Sequence, residues 1–289
     1  MKNCNQAINS REYKLILNIN QFYDRTHTVE RFGNLVESLT QQFKGKAISQ
    51  KTEEKYRQVY YLDTPNFDLR HHGFILRIRR EKKYNQPKYQ ITLKHRESDR
   101  YLSASQDLSA TKPGKTKFEE DIIPPFQSKF SQSISVTKDR QPNFENIKQV
   151  AKLFPGLKAL DITEQTSIEL VNNFRAFEVV KKLGNLQFGD KHIVKTDLSF
   201  WYLNTTDNLP LIAEFSLKYR LPKKLLESPK KLEQFPMPMI QGTNYLFKAL
   251  QQQWEWINFH PMTKTAYVYG EGNQFQNMFL AEKKSLLAA

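Results

Sequence analysis

Two stretches near the middle of the chain set its pattern. Over residues 74–79, Phe74, Leu76 and Ile78 fall on one side of a strand and Arg77 and Arg79 on the other, because successive strand side chains point to opposite faces. Over residues 89–96, Tyr89, Ile91 and Leu93 share one face, and Gln90, Thr92, Lys94 and Arg96 share the other. Comparable alternation predicts strands over residues 11–19, 118–122, 162–171, 174–183, 192–200 and 211–220, and a short apolar run predicts another over 59–62. Asn172-Asn173 is expected to form a hairpin turn between the two strands that flank it. Helical spacing of Val29, Phe32, Leu35, Val36, Leu39 and Phe43 predicts a helix over residues 28–43, with Gly45 as its C-cap. A short helix is expected over residues 143–154. Another is expected over residues 243–257, with Tyr245, Leu246, Ala249, Leu250, Trp254 and Ile257 as its apolar stripe. Residues 97–117 and 127–141 read as loops, and the tail after Pro261 carries weak signals.

An antiparallel strand with one wet face alternates too, so no single strand decides where the charges point. The recurrence does. At least six strands carry ionisable residues of both signs opposite large apolar ones, while the few helical segments can cover only the apolar face. The economical arrangement is an α+β fold: an antiparallel, eight-stranded β-barrel whose greasy outside is covered by helices and whose interior is charged. No linker or fixed repeat interrupts the pattern, which points to one domain over residues 1–289, with the C-terminal helical segment 222–289 packed against it. The expected interior collects Glu12, Lys14, Arg77, Arg79, Lys94, Arg96, Glu119, Asp121, Lys195, Asp197, Glu214 and Lys218. Burying such groups is unfavourable unless each meets a counter-charge, water, a metal or a ligand, so the hollow should be wet and made for binding.

Composition narrows the ligand. Lys and Arg outnumber Asp and Glu by 44 to 30, a formal net charge of +14, which favours an anionic partner. Nucleic acid is the rival class, and the 12% aromatic content would suit it. Against it, the cations alternate with apolar residues and are interleaved with acids that repel phosphodiesters, so nucleic acid is not the expected partner. A single cysteine, Cys4, excludes an intramolecular disulfide and a cysteine zinc site. The N-terminal residues lack an apolar signal core and no apolar run reaches spanning length, so a soluble, cytoplasmic chain without membrane contact is expected. No Walker loop, dinucleotide fingerprint or Ser-His-Asp order is present, and His71-His72 reads as a solvated turn.

In order along the chain come Glu12 with Lys14, the segment YYLDTP at residues 60–65, LRIR at 76–79, TLK at 92–94, EED at 119–121, Asp197-Leu198, and Glu214 with Lys218. This series resembles the CYTH, or triphosphate tunnel metalloenzyme, superfamily from about residue 12 to 218. The resemblance implies a tunnel that binds a triphosphate-containing small molecule, such as inorganic tripolyphosphate, or polyphosphate, and hydrolyses it with Mg2+ or Mn2+. A cyclase acting on ATP would use the same tunnel. The implied phosphate-holding residues are Arg77, Arg79, Lys94, Arg96, Lys195 and Lys218, with Lys14 close by; Glu12, Asp197 and Glu214 are implied metal ligands. Glu119 or Asp121 would hold a second metal or position the attacking water. Two departures bear on the metal: Ser10 and Ser216 stand where the family pattern has acids, and fewer carboxylates weaken divalent-cation binding. A binder of the same ligands without hydrolysis is the alternative that these departures raise.

Overall fold

The central alternation becomes a hairpin in the computed structural model, which describes residues 7–48, 53–83, 86–189, 192–221, 235–258 and 262–271. Its arms are β4 (Phe74–Lys83) and β5 (Gln86–Glu97), paired with Arg77 opposite Thr92 and Ile75 opposite Lys94. The other strands are β1 (Ser10–Leu17), β2 (Lys46–Ile48), β3 (Glu54–Asp63), β6 (Lys115–Ile123), β7 (Gln127–Lys138), β8 (Glu169–Gln187), β9 (Ile193–Tyr202) and β10 (Ile212–Arg220). They run in the order β8-β3-β4-β5-β7-β6-β1-β10-β9, and β9 pairs back onto β8, closing the barrel; β2 is an extra strand on β8. The barrel therefore has nine strands rather than eight. It is also mixed rather than purely antiparallel, because β1 lies parallel to β6 while the other ring pairings are antiparallel.

The additional strand is β7, which falls where a loop was expected. Its inward positions are Ser131, Ser133 and Ser135, opposite Arg96, Lys94 and Thr92 on β5 and opposite Glu119, Lys117 and Lys115 on β6. Serine at every second position carries neither the charge nor the bulk that reveals an alternating strand, yet it gives long neighbouring side chains room. The expected hairpin at Asn172-Asn173 is instead an irregularity within the single long strand β8. Both asparagines adopt positive φ (48° and 51°), and the register against β3 jumps between Tyr60 and Leu62. Asparagine tolerates that backbone region well, so β8 bends without ending.

Helices cover the outside. The helix α1 (Arg25–Gln42) starts at Asp24, whose side chain accepts from the His27 N–H at 3.1 Å, and buries Val29, Phe32, Val36 and Leu39. Its C-terminus corrects the expectation for Gly45. Lys44 takes the left-handed position (φ 58°), and the Lys44 and Gly45 amides close on Gln41 and Thr40 at 3.0 and 2.9 Å. Gly45 serves instead by close approach, since a Cβ there would lie 2.5 Å from the Phe188 ring. Between β3 and β4 sits α2 (Asp68–His71). The expected loop before β6 contains α3 (Arg100–Ser105), which Asp99 caps by accepting from the Tyr101 and Leu102 amides. One apolar side of the barrel packs under α4 (Ile147–Leu153), where Ile147, Val150 and Leu153 meet Leu76, Ile78, Ile91 and Leu93. The other packs under α1 and α5 (Met237–Gln251), which buries Met239, Leu246, Phe247 and Leu250 against Leu15, Leu198, Phe215 and Leu217. Tyr245 and Trp254, expected on that stripe, are 54% and 68% exposed.

A last helix, α6 (Lys264–Tyr269), gives the barrel a floor. Its Val268 and Tyr269 join Val59, Tyr61, Ile75, Ala176, Trp201 and Ile212 in an apolar cluster at inward-facing strand positions. The interior is thus charged over part of its length and apolar at one end. Among the described residues no helix is long and apolar enough to cross a membrane.

Candidate functional site: a charged hollow in the barrel

Face parity decides what lines the hollow. On β4 and β5 the register places Arg77, Arg79, Thr92, Lys94 and Arg96 inward, and on β1, β6 and β10 it places Glu12, Lys14, Lys117, Glu119, Asp121, Glu214 and Lys218 inward. The enclosed cavity is about 300 Å³, and ten basic side chains line it against four acidic ones. A larger hollow of about 670 Å³ lies outside the wall, around Tyr23, Tyr56 and Tyr202, and shares only Arg57 with the tunnel lining. The charges gather in the inner cavity, so the site is there.

On the side formed by β1, β6 and β10, each of the inward-facing acids Glu12, Glu119, Asp121 and Glu214 is clasped by a cation. Asp121, 1% exposed, accepts from Lys14 at 2.8 Å, Lys94 at 3.1 Å and Arg96. Lys218 donates to Glu119 at 2.6 Å and to Glu12 at 3.1 Å, and the Ser10 hydroxyl donates to Glu119 at 2.8 Å. Burial alone would raise these carboxyls. Lys14 and Lys218 instead pull Glu12 down to about 2, Lys218 and Lys117 hold Glu119 low, and Lys14, Lys94 and Arg96 hold Asp121 well below the usual range. Burial also presses on the cations. It takes Lys94 down to about 7, with Arg96 and Lys14 adding to the effect and Asp121 opposing it, and it takes Lys117 down to about 8. Lys14 goes the other way, raised because Asp121 and Glu12 outweigh its burial.

On the opposite wall, from β3, β4 and β8, the buried acid beside the arginines is Glu178. Glu178, 2% exposed, pairs with Arg57 and Lys264 and accepts from Ser199 Oγ at 2.8 Å and Trp201 Nε1 at 3.0 Å. Arg79 Nε lies 3.9 Å from it, beyond hydrogen-bond reach. Burial, with Arg77 and Arg57 alongside, lowers Arg79 to about 9. Among the described residues no ion pair or side-chain hydrogen bond holds Arg77. The buried Nε atoms of Arg77, Arg79 and Arg96 have no acceptor. Buried donors of this kind ordinarily meet an acceptor from protein, water or ligand.

The predicted residues divide accordingly. Glu12, Lys14, Arg77, Arg79, Lys94, Arg96, Glu119, Asp197, Glu214 and Lys218 line the cavity, and Asp121 lies behind Lys14 and Lys94 as their shared counter-ion. Lys195 is exposed and outside the lining. Five ionisable residues went unpredicted: Arg57, Lys117, Arg220 and Lys264 in the lining, and Glu178, which pairs with two of them. Glu178 sits between inward-facing Ala176 and Val180 and so shows no charged run, and Lys264 arrives on a short helix rather than on a strand. The YYLDTP segment turns out to serve as a joint. Asp63, raised by burial, accepts from the Thr64, Leu69 and Arg70 amides and from Tyr269 Oη, tying β3 to α2 and α6.

With this geometry in view, a family model described as the CYTH domain matches residues 12–182. The chain belongs to the CYTH family. Its similar solved structures include HpAC1 from Hippeastrum, whose structure is described as revealing a dominant triphosphatase activity. HpAC1 is 11% identical with TM-score 0.41, over 93% of this chain and 99% of that one. The Bacillus halodurans protein bh2851 is 13% identical with TM-score 0.38, over 90% and 96%. PH1819 from Pyrococcus horikoshii is 12% identical with TM-score 0.34, over 84% and 89%. No curated protein matches. The CYTH match ends within β8, so Asp197, Glu214, Lys218 and Lys264 of this CYTH chain lie beyond it.

Divalent-metal dependence is general in the family, and the implied ligands here are Glu12, Asp197 and Glu214. Among the described residues no three of His, Cys, Asp or Glu converge as a metal group. Glu12 is bonded by Lys218 and lies 3.5 Å from Lys14, and Glu214 is 3.0 Å from Lys264. Among the described residues Asp197 has no cationic partner within ion-pair distance; burial, then the nearby Glu12 charge, raises its pKa. This donor set does not fit a divalent ion held by the three implied acids.

Proposed function

We propose that this chain binds the triphosphate of a small molecule inside the barrel and hydrolyses its terminal phosphoanhydride. One observation carries the proposal: three buried guanidinium Nε–H groups, on Arg77, Arg79 and Arg96, have no acceptor in a cavity where cations outnumber acids. A chain of phosphates supplies closely spaced anionic acceptors that match such donors. Arg77 and Arg79 on β4 grip it together with Lys94 and Arg96 on the neighbouring β5, dispersing the charge that spreads over the transferred phosphoryl oxygens.

Asp197 is the carboxylate suited to orient water. Glu119 and Asp121 are held as anions by two or three cations each, and their low pKa values make them poor proton acceptors. Asp197 is unpaired and raised. Water oriented by Asp197 attacks the terminal phosphorus, its proton passes to that carboxylate, and the bridging P–O bond breaks to release inorganic phosphate and the diphosphate. The test is phosphate release from inorganic tripolyphosphate, with Mg2+ or Mn2+ and separately with chelator. Asp197→Asn is expected to lower kcat about 100-fold or more at similar KM. Wild type that binds tripolyphosphate and releases no phosphate under any of these conditions would refute hydrolysis.

A further inference from the structure

Lys264 occupies a niche built of oxygen donors. Its Nζ lies 2.6 Å from Ser199 Oγ, 3.0 Å from Glu214 Oε1 and 3.3 Å from Glu178 Oε1, with the Trp201 ring centroid 5.3 Å away. Two carboxylates and a hydroxyl around one point are the ligands a hard cation prefers. The lysine is delivered there by a segment held at several points. Thr263 caps the start of α6, Tyr269 Oη donates to Asp63 at 2.9 Å, Asn172 Nδ2 donates to Val268 O at 2.8 Å, and Arg70 pairs with Glu271 at 2.7 Å. Elsewhere in the cavity another lysine bridges two acids: Lys218 reaches both Glu12 and Glu119, and serines stand at positions 10 and 216.

We infer that Lys264 is a built-in replacement for a divalent ion, so that the barrel binds a triphosphate without metal. An ammonium tethered to a helix neutralises Glu178 and Glu214 permanently, where a bound ion would do so only at sufficient concentration. Without it, Glu214 would lose its ion pair and Glu178 would keep only Arg57 and Arg79, so more carboxylate charge would face the incoming polyanion and repel it. The inference rests on the proposed triphosphate binding and extends it to the mode of charge neutralisation.

Calorimetric titration of tripolyphosphate, with EDTA and with Mn2+, tests it. Wild type is expected to bind with similar affinity in both. Lys264→Ala is expected to lose at least tenfold in EDTA and to recover most of that with Mn2+, because the emptied niche then accepts the ion. Lys264→Arg should keep binding in EDTA. Mn2+ titrated alone, followed by its electron paramagnetic resonance signal, should bind Lys264→Ala more tightly than wild type. Wild-type binding that appears with Mn2+ and vanishes in EDTA would overturn the inference while leaving triphosphate binding intact; this arm needs no variant to fold. Absence of tripolyphosphate binding in both media would overturn the triphosphate reading itself, and the inference with it. Equal Mn2+ affinity of Lys264→Ala and wild type would remove the niche from consideration.

Discussion

The two walls of the barrel interior solve the same electrostatic problem differently. On the side of β1, β6 and β10, buried acids and buried cations neutralise one another, with Asp121 serving Lys14, Lys94 and Arg96 at once. On the side of β3 and β4, among the described residues, Arg57 and Arg79 share only Glu178, and Arg77 has no acid within ion-pair distance. A compensated wall holds side chains in place, and an uncompensated wall stores a demand for anions. The contrast teaches that total charge is a poor guide to where a ligand binds; the useful quantity is the charge left over after internal pairing.

Substitutions should separate the two walls, and the largest effect falls on the compensated one. Asp121→Asn removes the shared counter-ion of three buried cations and is expected to destabilise the fold by roughly 3–5 kcal/mol, read from urea unfolding. Arg77→Met on the other wall removes a cation with no partner and relieves repulsion on Arg79. Its unfolding free energy should stay within about 1 kcal/mol of wild type or rise. A large loss there would show that Arg77 has a structural partner and would erase the contrast.

A smaller effect concerns pH. Lys94 is lowered by burial to about 7, below its unfolded value, so near neutrality it is only partly charged in the free protein. A bound polyanion favours the charged form, so binding above pH 7 must draw in a proton. Affinity should therefore fall, by up to about tenfold per pH unit, as pH rises from 7 toward 9, while Lys94→Arg should flatten that dependence. For folding the sign is opposite. Between the folded value near 7 and the higher unfolded value the unfolded chain holds more protons on this lysine, so its contribution to stability rises with pH across that window.

How much of this the sequence disclosed follows from what each strand places inward. Strands β1, β4, β5, β6, β9 and β10 set long charged residues opposite large apolar ones, and that contrast was legible, together with Arg77, Arg79, Lys94 and Glu12 as cavity residues. Strand β7 was hidden because serine lines its inner face, and the continuity of β8 was hidden because Asn172-Asn173 imitates a turn. Lys264 was hidden for a different reason. It enters the barrel from a six-residue helix, where no strand periodicity could point inward, and its role comes from tertiary placement. Glu178 shows the same limit from the other direction, since a lone acid among small apolar neighbours acquires its meaning from Arg57 across the β3–β8 pair.

Neighbouring positions on one strand give the sharpest comparison. Arg77 points into the cavity, while Arg80, on the outward face of β4, is exposed and lines the outer hollow. Calorimetric titration of tripolyphosphate into Arg77→Ala and Arg80→Ala, side by side at one salt concentration, tests whether the barrel interior binds the anion. The account predicts a loss of roughly 10- to 100-fold for Arg77→Ala, the worth of one charge-assisted bonding group, and less than about twofold for Arg80→Ala. Equal losses for the two, or none for Arg77→Ala, would contradict it.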